Sequence, residues 1–335
     1  MKINGHLPYE LDKVGPAARA LEEAGYDCGF SAELKHDPFL PLAVATQATS
    51  RLEIMTSIAV AFARNPMTLA NLGHDLNAAS GGRFIMGLGA QIEPHVTRRF
   101  SMPWSRPAER MREMILAMHA IWDCWHEGRP LDFRGEFYTH TLMTHYFTPD
   151  DHQYGRPKVM LAAVGPAMTR VAAEIADGML CHIFTTPRYM HEVTIPQIEK
   201  TLAAADRDRA KFEIVGQLFI AAGDSEEEIA KGLETVRTQV SFYGSTPAYK
   251  AVFELEGLHD LHPQLHRLSK DGKWDEMSAL LTDDIVARFA VVGTPEQVAE
   301  KLVSHYAGKV DRTSFPFKDL DRDRSVALLN ILRAA

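Results

Sequence analysis

The chain has 335 residues, 46 % apolar and 24 % charged, a composition that supplies a large buried core. Its formal net charge of −8 excludes nucleic acid as the main partner, because a phosphate-binding surface must be basic. No apolar run reaches the roughly 18 residues of a membrane span, and the opening MKINGHLPYE lacks the apolar stretch of a signal peptide, so a cytoplasmic location is expected.

In chain order, β-rich runs alternate with helical patterns. Lys2–Gly5 reads as a first strand, followed by a helix over about Pro16–Ala24 with Gly25 as its stop. Asp27–Glu33 reads as a second strand that ends on a carboxylate. A Pro-punctuated loop and a helix follow, and RLEIMTSIAVAFA is a long third strand. Pro66 opens the next helix, which Gly81-Gly82 stops, and Arg83–Gly89 is the fourth strand. Ser105 is expected to cap a helix running to about Trp125; its Met111, Met114, Ile115, Met118, Ile121, Trp122 and Trp125 recur at helical spacing and read as core. Arg129–Asp151 reads as loop with a small hairpin.

PKVMLAAV is the fifth strand, and Gly165-Pro166 opens the helix after it. MLCHIF is the sixth strand and KFEIVGQLFIAA the seventh. A helix capped by Ser225 comes next, with Glu228 at capping-box spacing. A helical insertion is expected over about Ser241–Ala287, then the helix TPEQVAEKLVSHYA, and KVDRTSFPF as the eighth strand. Eight strands alternating with helices predict a closed (β/α)8 barrel with a helical insertion before its last strand; a doubly wound open sheet is the alternative.

In such barrels the chemistry sits at the carboxyl ends of the strands. Glu33 and His36, after strand two, read as an acid/base pair or as holders of a cofactor ring. Ser57, Ile58 and Ala59 at strand three leave room for a planar ligand. Gly87-Leu88-Gly89 is half of a dinucleotide fingerprint, but the third Gly and the immediate helix are both missing. Its glycines, with Ala90 and Gln91, are expected instead to let a ligand approach the backbone. At strand five, Gly165 and Pro166 start a helix whose first N–H groups, at Ala167, Met168 and Thr169, read as an anion site. The fifteen histidines form no HExxH, and His259, His262 and His266 are interrupted by Pro263, so no metal is expected. Cys28, Cys124 and Cys181 form no CxxC pair and read as buried, reduced thiols.

The run TSIAVAFARNPMTLANLGHDLNAASGGRFIMGLGAQ, with PKVMLAAVGPAMTRVAAEIADGML and VVGTPEQVAEKL, resembles the bacterial-luciferase-like superfamily. Together with HVTRRFSMPWSRPAERMREMILAMHAIWDCW and LDFRGEFYTHTLMT, it is similar to the coenzyme F420-dependent oxidoreductase branch. The resemblance implies a barrel with a flavin or deazaflavin ring resting on a strand-three bulge at a cis peptide, here Ser57–Ile58. It implies Gly89, Ala90 and Gln91 beside the cofactor, and Gly165 to Thr169 at its phosphate. The sugar-phosphate dehydrogenases of this superfamily carry Asp-His after strand two, where this chain has Glu33-Leu34, so that activity does not carry over and His36 stands in for the imidazole. The expected function is hydride transfer between F420 and a small organic substrate, with Glu33 or His36 as the proton carrier and a homodimer as the assembly. The alternatives are an FMN-dependent monooxygenase fed by a flavin reductase, and a non-catalytic flavin-binding barrel.

Overall fold

A computed structural model describes residues 1–315 and 322–334. Among these, eight parallel strands form the barrel: β1 (Lys2–His6), β2 (Cys28–Ser31), β3 (Glu53–Thr56), β4 (Phe84–Gly89), β5 (Lys158–Ala163), β6 (Gly178–Cys181), β7 (Glu213–Gly216) and β8 (Arg312–Ser314). β1 pairs with β8, Lys2 opposite Arg312, and β3 pairs with β4, Ile54 opposite Phe84, so the sheet closes on itself. That closure rules out the open doubly wound alternative. Of the segment expected as the eighth strand, Pro316 and Phe317 lie outside the described residues.

The barrel's outer layer and the late excursion together carry α1 (Leu11–Ala24), α2 (Phe39–Ala48), α3 (Pro66–Ser80), α4 (Pro107–Glu127), α5 (Pro166–Ile175), α6 (Ile195–Ala204), α7 (Glu226–Gly244), α8 (Leu261–Lys270), α9 (Pro295–Tyr306) and α10 (Arg322–Arg333), α7 and α8 belonging to the excursion, with shorter helical turns between. Gly25 at φ 95° and Gly81 at φ 68° end α1 and α3 in the left-handed conformation, as their positions predicted. The aromatic and Met stripe of α4 is buried against the barrel, where Trp122 Nε1 donates to Ala70 O of α3 at 3.0 Å. Ser105 does not cap α4; the cap position is Arg106, at φ 35°, with no side-chain bond. Ser225 Oγ does accept from Glu228 N, but the Glu228 carboxylate reaches Asp224 N rather than Ser225 N. All three cysteines are free and buried, and burial pushes Cys28 and Cys181 up to about 12.

The late excursion starts earlier than expected. KFEIVGQLFIAA splits: Glu213–Gly216 stays in the barrel, while Phe219–Ala222 pairs in parallel with Ala290–Gly293. The helices between these two strands gather their own apolar core around Phe219, Val240, Phe253, Leu265 and Phe289. Phe184 and Tyr189, which follow β6, pack into it and so join the excursion to the barrel.

The amino ends of the strands carry a buried ionic network. Arg312, fully buried, donates to Glu53 at 2.7 Å, to Glu213 at 2.8 Å and to Asn4 Oδ1 at 3.2 Å. Lys2 and Lys158 pair with the same two carboxylates. Burial alone would raise Glu213, but Arg312 and Lys158 outweigh it and hold its carboxyl down at about 2. This end of a barrel serves stability, which leaves the opposite end for chemistry. No helix among the described residues is long and apolar enough to cross a membrane.

Candidate active site

The barrel interior is filled by Cys28, Met55, Ile85, Met160, Leu180 and Val215, with Phe30, Ile58 and Ala162 against them. Side chains alternate along a strand, so the next inward positions toward the carboxyl ends form the mouth. Phe30, Ala162 and His182 lie one such step beyond Cys28, Met160 and Leu180, Gly89 lies beside Ala162 and Ile58, and His6 and Ser314 end β1 and β8. The Ser314 hydroxyl is buried without a hydrogen-bond partner among the described residues.

β3 is interrupted at this level. The Ser57–Ile58 peptide is cis, and the strand resumes at Ala59–Val60, paired with β4. The bulge is tied to the end of β2 by Ser57 N to Ser31 O at 2.7 Å and Glu33 N to Ile58 O at 3.0 Å. Two glycines of β4 make room for it. A Cβ on Gly87 would stand 1.9 Å from the Thr56 carbonyl oxygen, and one on Gly89 would stand 2.8 Å from Ile58 Cδ1. The Gly-x-Gly that resembles a nucleotide loop therefore accommodates the protein's own bulge. Beyond it, Gln91 sits at φ 62°, turning the chain away from the strand, and Ala90 and Gln91 remain partly exposed at the rim.

The two residues expected to carry protons are placed differently. Glu33 is 8 % exposed, and one carboxylate oxygen accepts from Val60 N and from Arg64 Nη1, both at 2.7 Å. Arg64 in turn reaches Asp37 at 3.0 Å and its own helix-entry carbonyl at Val60. Glu33 is thus bound to the bulge at Ile58 and to the chain that leaves it, at Val60 and Arg64. His36 is exposed, its ring stacked on Tyr9 at 5.1 Å. Arg99 donates to the Leu34 carbonyl and anchors the loop that carries both residues.

At β5, Gly165 is the cap of α5 and Pro166 its first residue. Pro166 has no N–H, so the donors of the first turn are at Ala167 and Met168. Thr169, expected as a third donor, spends its N–H on Gly165 O at 3.0 Å and is buried. Nothing lies within 4 Å of where a Gly165 Cβ would stand, so the approach to this helix end is open.

Two strand-end imidazoles were not singled out from the sequence. His6, exposed at the end of β1, meets Phe30 edge-on at 5.2 Å and Tyr9 at 5.5 Å, and partial desolvation by these neighbours lowers its basicity. His182 is held between Phe184 N and Tyr249 Oη, and burial pushes it down to about 4. The signal for both was position: each directly follows or ends a strand. Tyr249, 67 residues beyond His182, left no such signal. His262 and His266 turn their Nδ1 atoms to the last carbonyl of α7, at Gly244, and to that of its cap residue, Ser245, as structural partners.

Comparison with known proteins places this geometry. Residues 4–312 match the family described as luciferase-like monooxygenase. The chain is 50 % identical over 312 residues to the uncharacterized protein Rv1360 of Mycobacterium tuberculosis, covering 93 % of this chain and 92 % of that one. It is 28 % identical over 243 residues to F420-dependent glucose-6-phosphate dehydrogenase 1 of Rhodococcus jostii, with 69 % of each chain covered. The coenzyme F420-dependent tetrahydromethanopterin reductase of Methanopyrus kandleri shares the fold at a TM-score of 0.77 and 19 % identity, over 98 % of this chain and 96 % of that one. The chain belongs to the luciferase-like monooxygenase family, in which its relatives include F420-dependent oxidoreductases.

Proposed function

We propose that this protein is a coenzyme F420-dependent oxidoreductase that moves a hydride between the deazaflavin and a small organic substrate. The observation that carries the reading is the mouth itself: an apolar bulge at Ile58, a floor of small residues at Gly89 and Ala162, and an open helix end at Gly165-Pro166. A planar tricyclic ring with a phosphate-bearing tail matches that combination. The choice of F420 over FMN leans on the relatives whose names specify F420.

When bound, the deazaflavin supplies the hydride chemistry, and the protein supplies position and protons. In this reading Ser57, Ile58 and Ala59 back the ring, and Gly89, Ala90 and Gln91 line its edge. The N–H groups of Ala167 and Met168, at the positive end of α5, receive the phosphate, with Gly165 and Pro166 clearing its approach and Thr169 locking the first turn. Glu33, joined to Val60 and Arg64, holds the bulge in place rather than trading protons. His36, exposed at the rim, is the side chain of this loop free to exchange one at the mouth.

Titrating the purified protein with F420 and, separately, with FMN tests this, with intrinsic fluorescence as the readout. Saturable quenching by F420 at micromolar or lower concentration supports the reading. Tight binding of FMN with no response to F420 overturns it in favour of a flavin-dependent enzyme.

A further inference from the structure

His182 lies two residues beyond Leu180, at the point where β6 opens into the mouth, and both of its ring nitrogens are engaged. Phe184 N–H donates to Nδ1 at 3.0 Å, so Nδ1 carries no proton. The single proton of the neutral ring is therefore on Nε2, which lies 3.1 Å from Tyr249 Oη. The imidazole donates and the phenol oxygen accepts. A phenol that accepts in this way keeps its own O–H to give elsewhere, and no described residue accepts it.

Packing fixes the direction of that group. The Tyr249 ring stacks on His182 at 4.6 Å with 22° between planes, and it meets Phe184 at 5.3 Å. Tyr243, from α7, stands edge-on to His182 at 4.9 Å. Tyr249 keeps partial exposure. Its segment belongs to the excursion between β7 and β8, so a residue outside the barrel framework reaches the barrel mouth. In the ring of eight strands β6 lies across from β2, and the phenol therefore stands on the opposite wall from Glu33 and His36.

We infer that Tyr249, oriented by His182, is the hydrogen-bond donor that grips an acceptor oxygen of the substrate, and that the site takes small molecules bearing a carbonyl group. The inference rests on the proposed reading of the mouth as a cofactor and substrate site. Tyr249 is the contacting group and His182 a positioning residue. Burial raises the phenol well above its usual range and keeps the imidazole neutral, which preserves this donor–acceptor order across the neutral pH range.

The experiment uses the full chain loaded with F420 and cyclohexanone as the probe. Long-range 1H–15N spectra of histidine-labelled protein report the His182 tautomer, and saturation-transfer titration reports cyclohexanone binding. The expected result is a proton on Nε2 in the wild type. Tyr249→Phe should weaken cyclohexanone about 10-fold while leaving F420 affinity unchanged. His182→Leu should do the same, and His182→Gln, whose amide N–H can replace the Nε2 donor, should recover most of the loss. A proton on Nδ1, no cyclohexanone binding by the wild type, or equal binding by Tyr249→Phe each overturns the inference. Failure of the wild type to bind F420 overturns instead the reading of the mouth on which it rests, and the two failures are told apart in the same titrations.

Discussion

Replacing Glu33 by Gln separates two roles that the sequence left joined. The carboxylate oxygen accepts two hydrogen bonds of 2.7 Å, from the Val60 amide and the Arg64 guanidinium, at a site 8 % exposed. Gln has the same shape and keeps an acceptor oxygen, so both contacts survive, the Val60 one in neutral form and the Arg64 one without its ion pair. A hydrogen bond to a charged group contributes about 1.5–3 kcal/mol against about 0.5–1.5 for a neutral one, so the Val60 bond loses about 1–1.5 kcal/mol, and removal of the Arg64 ion pair at this buried site brings the total to about 2–3. Arg64 is not left bare, because Asp37 stays 3.0 Å away. The expected outcome is a stability loss of about 2–3 kcal/mol in urea denaturation, together with F420 binding weakened at least several-fold as the bulge loosens. Turnover at saturating cofactor should fall little. If Glu33→Gln instead binds F420 as the wild type does and loses turnover by two orders of magnitude or more, Glu33 is a proton carrier and the bracing argument is wrong.

Other expectations follow from the same geometry. Gly87→Ala places a methyl 1.9 Å from a backbone oxygen that cannot swing aside, so the variant should lose about 3 kcal/mol or fail to fold, read by thermal unfolding of the soluble fraction. Arg312→Met strips the cation from two buried carboxylates and should cost about 3–5 kcal/mol by denaturant midpoint, whereas an unchanged midpoint would show that Lys2 and Lys158 suffice. Burial holds His119 at about 3 and His182 at about 4, both below an unfolded value of 6.5. Below 6.5 the unfolded chain takes up protons that the folded chain refuses, so this contribution is complete above 6.5 and declines as pH falls toward those values, by at most about 1.4 kcal/mol per pH unit for each imidazole. Urea midpoints measured from pH 7.5 to pH 5 should fall more steeply for the wild type than for His119→Leu, and parallel curves would refute the assignment.

The framework was legible because barrel strands and helices announce themselves locally. Helix stops at Gly25 and Gly81 and the buried stripe of α4 need only periodicity and backbone conformation to be read. The strand Ala290–Gly293 was not legible, since AVVG gains its identity only by lying beside Phe219–Ala222, far away in the chain. The site divided in the same way. Strand-end positions such as Glu33 and Gly165 could be named from alternation alone. What Glu33 does could not, because its partners Val60 and Arg64 meet it only after β3 has bent through the Ser57–Ile58 bulge. Gly87 and Gly89 invited a nucleotide reading for a related reason: the atoms that require them small belong to β3, a separate segment of chain. Tyr249 was out of reach altogether, being brought to His182 by the packing of the excursion.

The central claim is hydride transfer by a bound deazaflavin, and isotope transfer tests it most directly. Reduced F420 carrying deuterium at C5 would be mixed with the protein and a panel of small carbonyl compounds in the absence of oxygen, and the products examined by mass spectrometry. The expected result is a product that gains one deuterium without oxygen and that forms several-fold more slowly when the bulge is disturbed by Glu33→Gln at sub-saturating cofactor. No transfer from F420 to any carbonyl, with turnover appearing only when reduced FMN and oxygen are supplied, would contradict it.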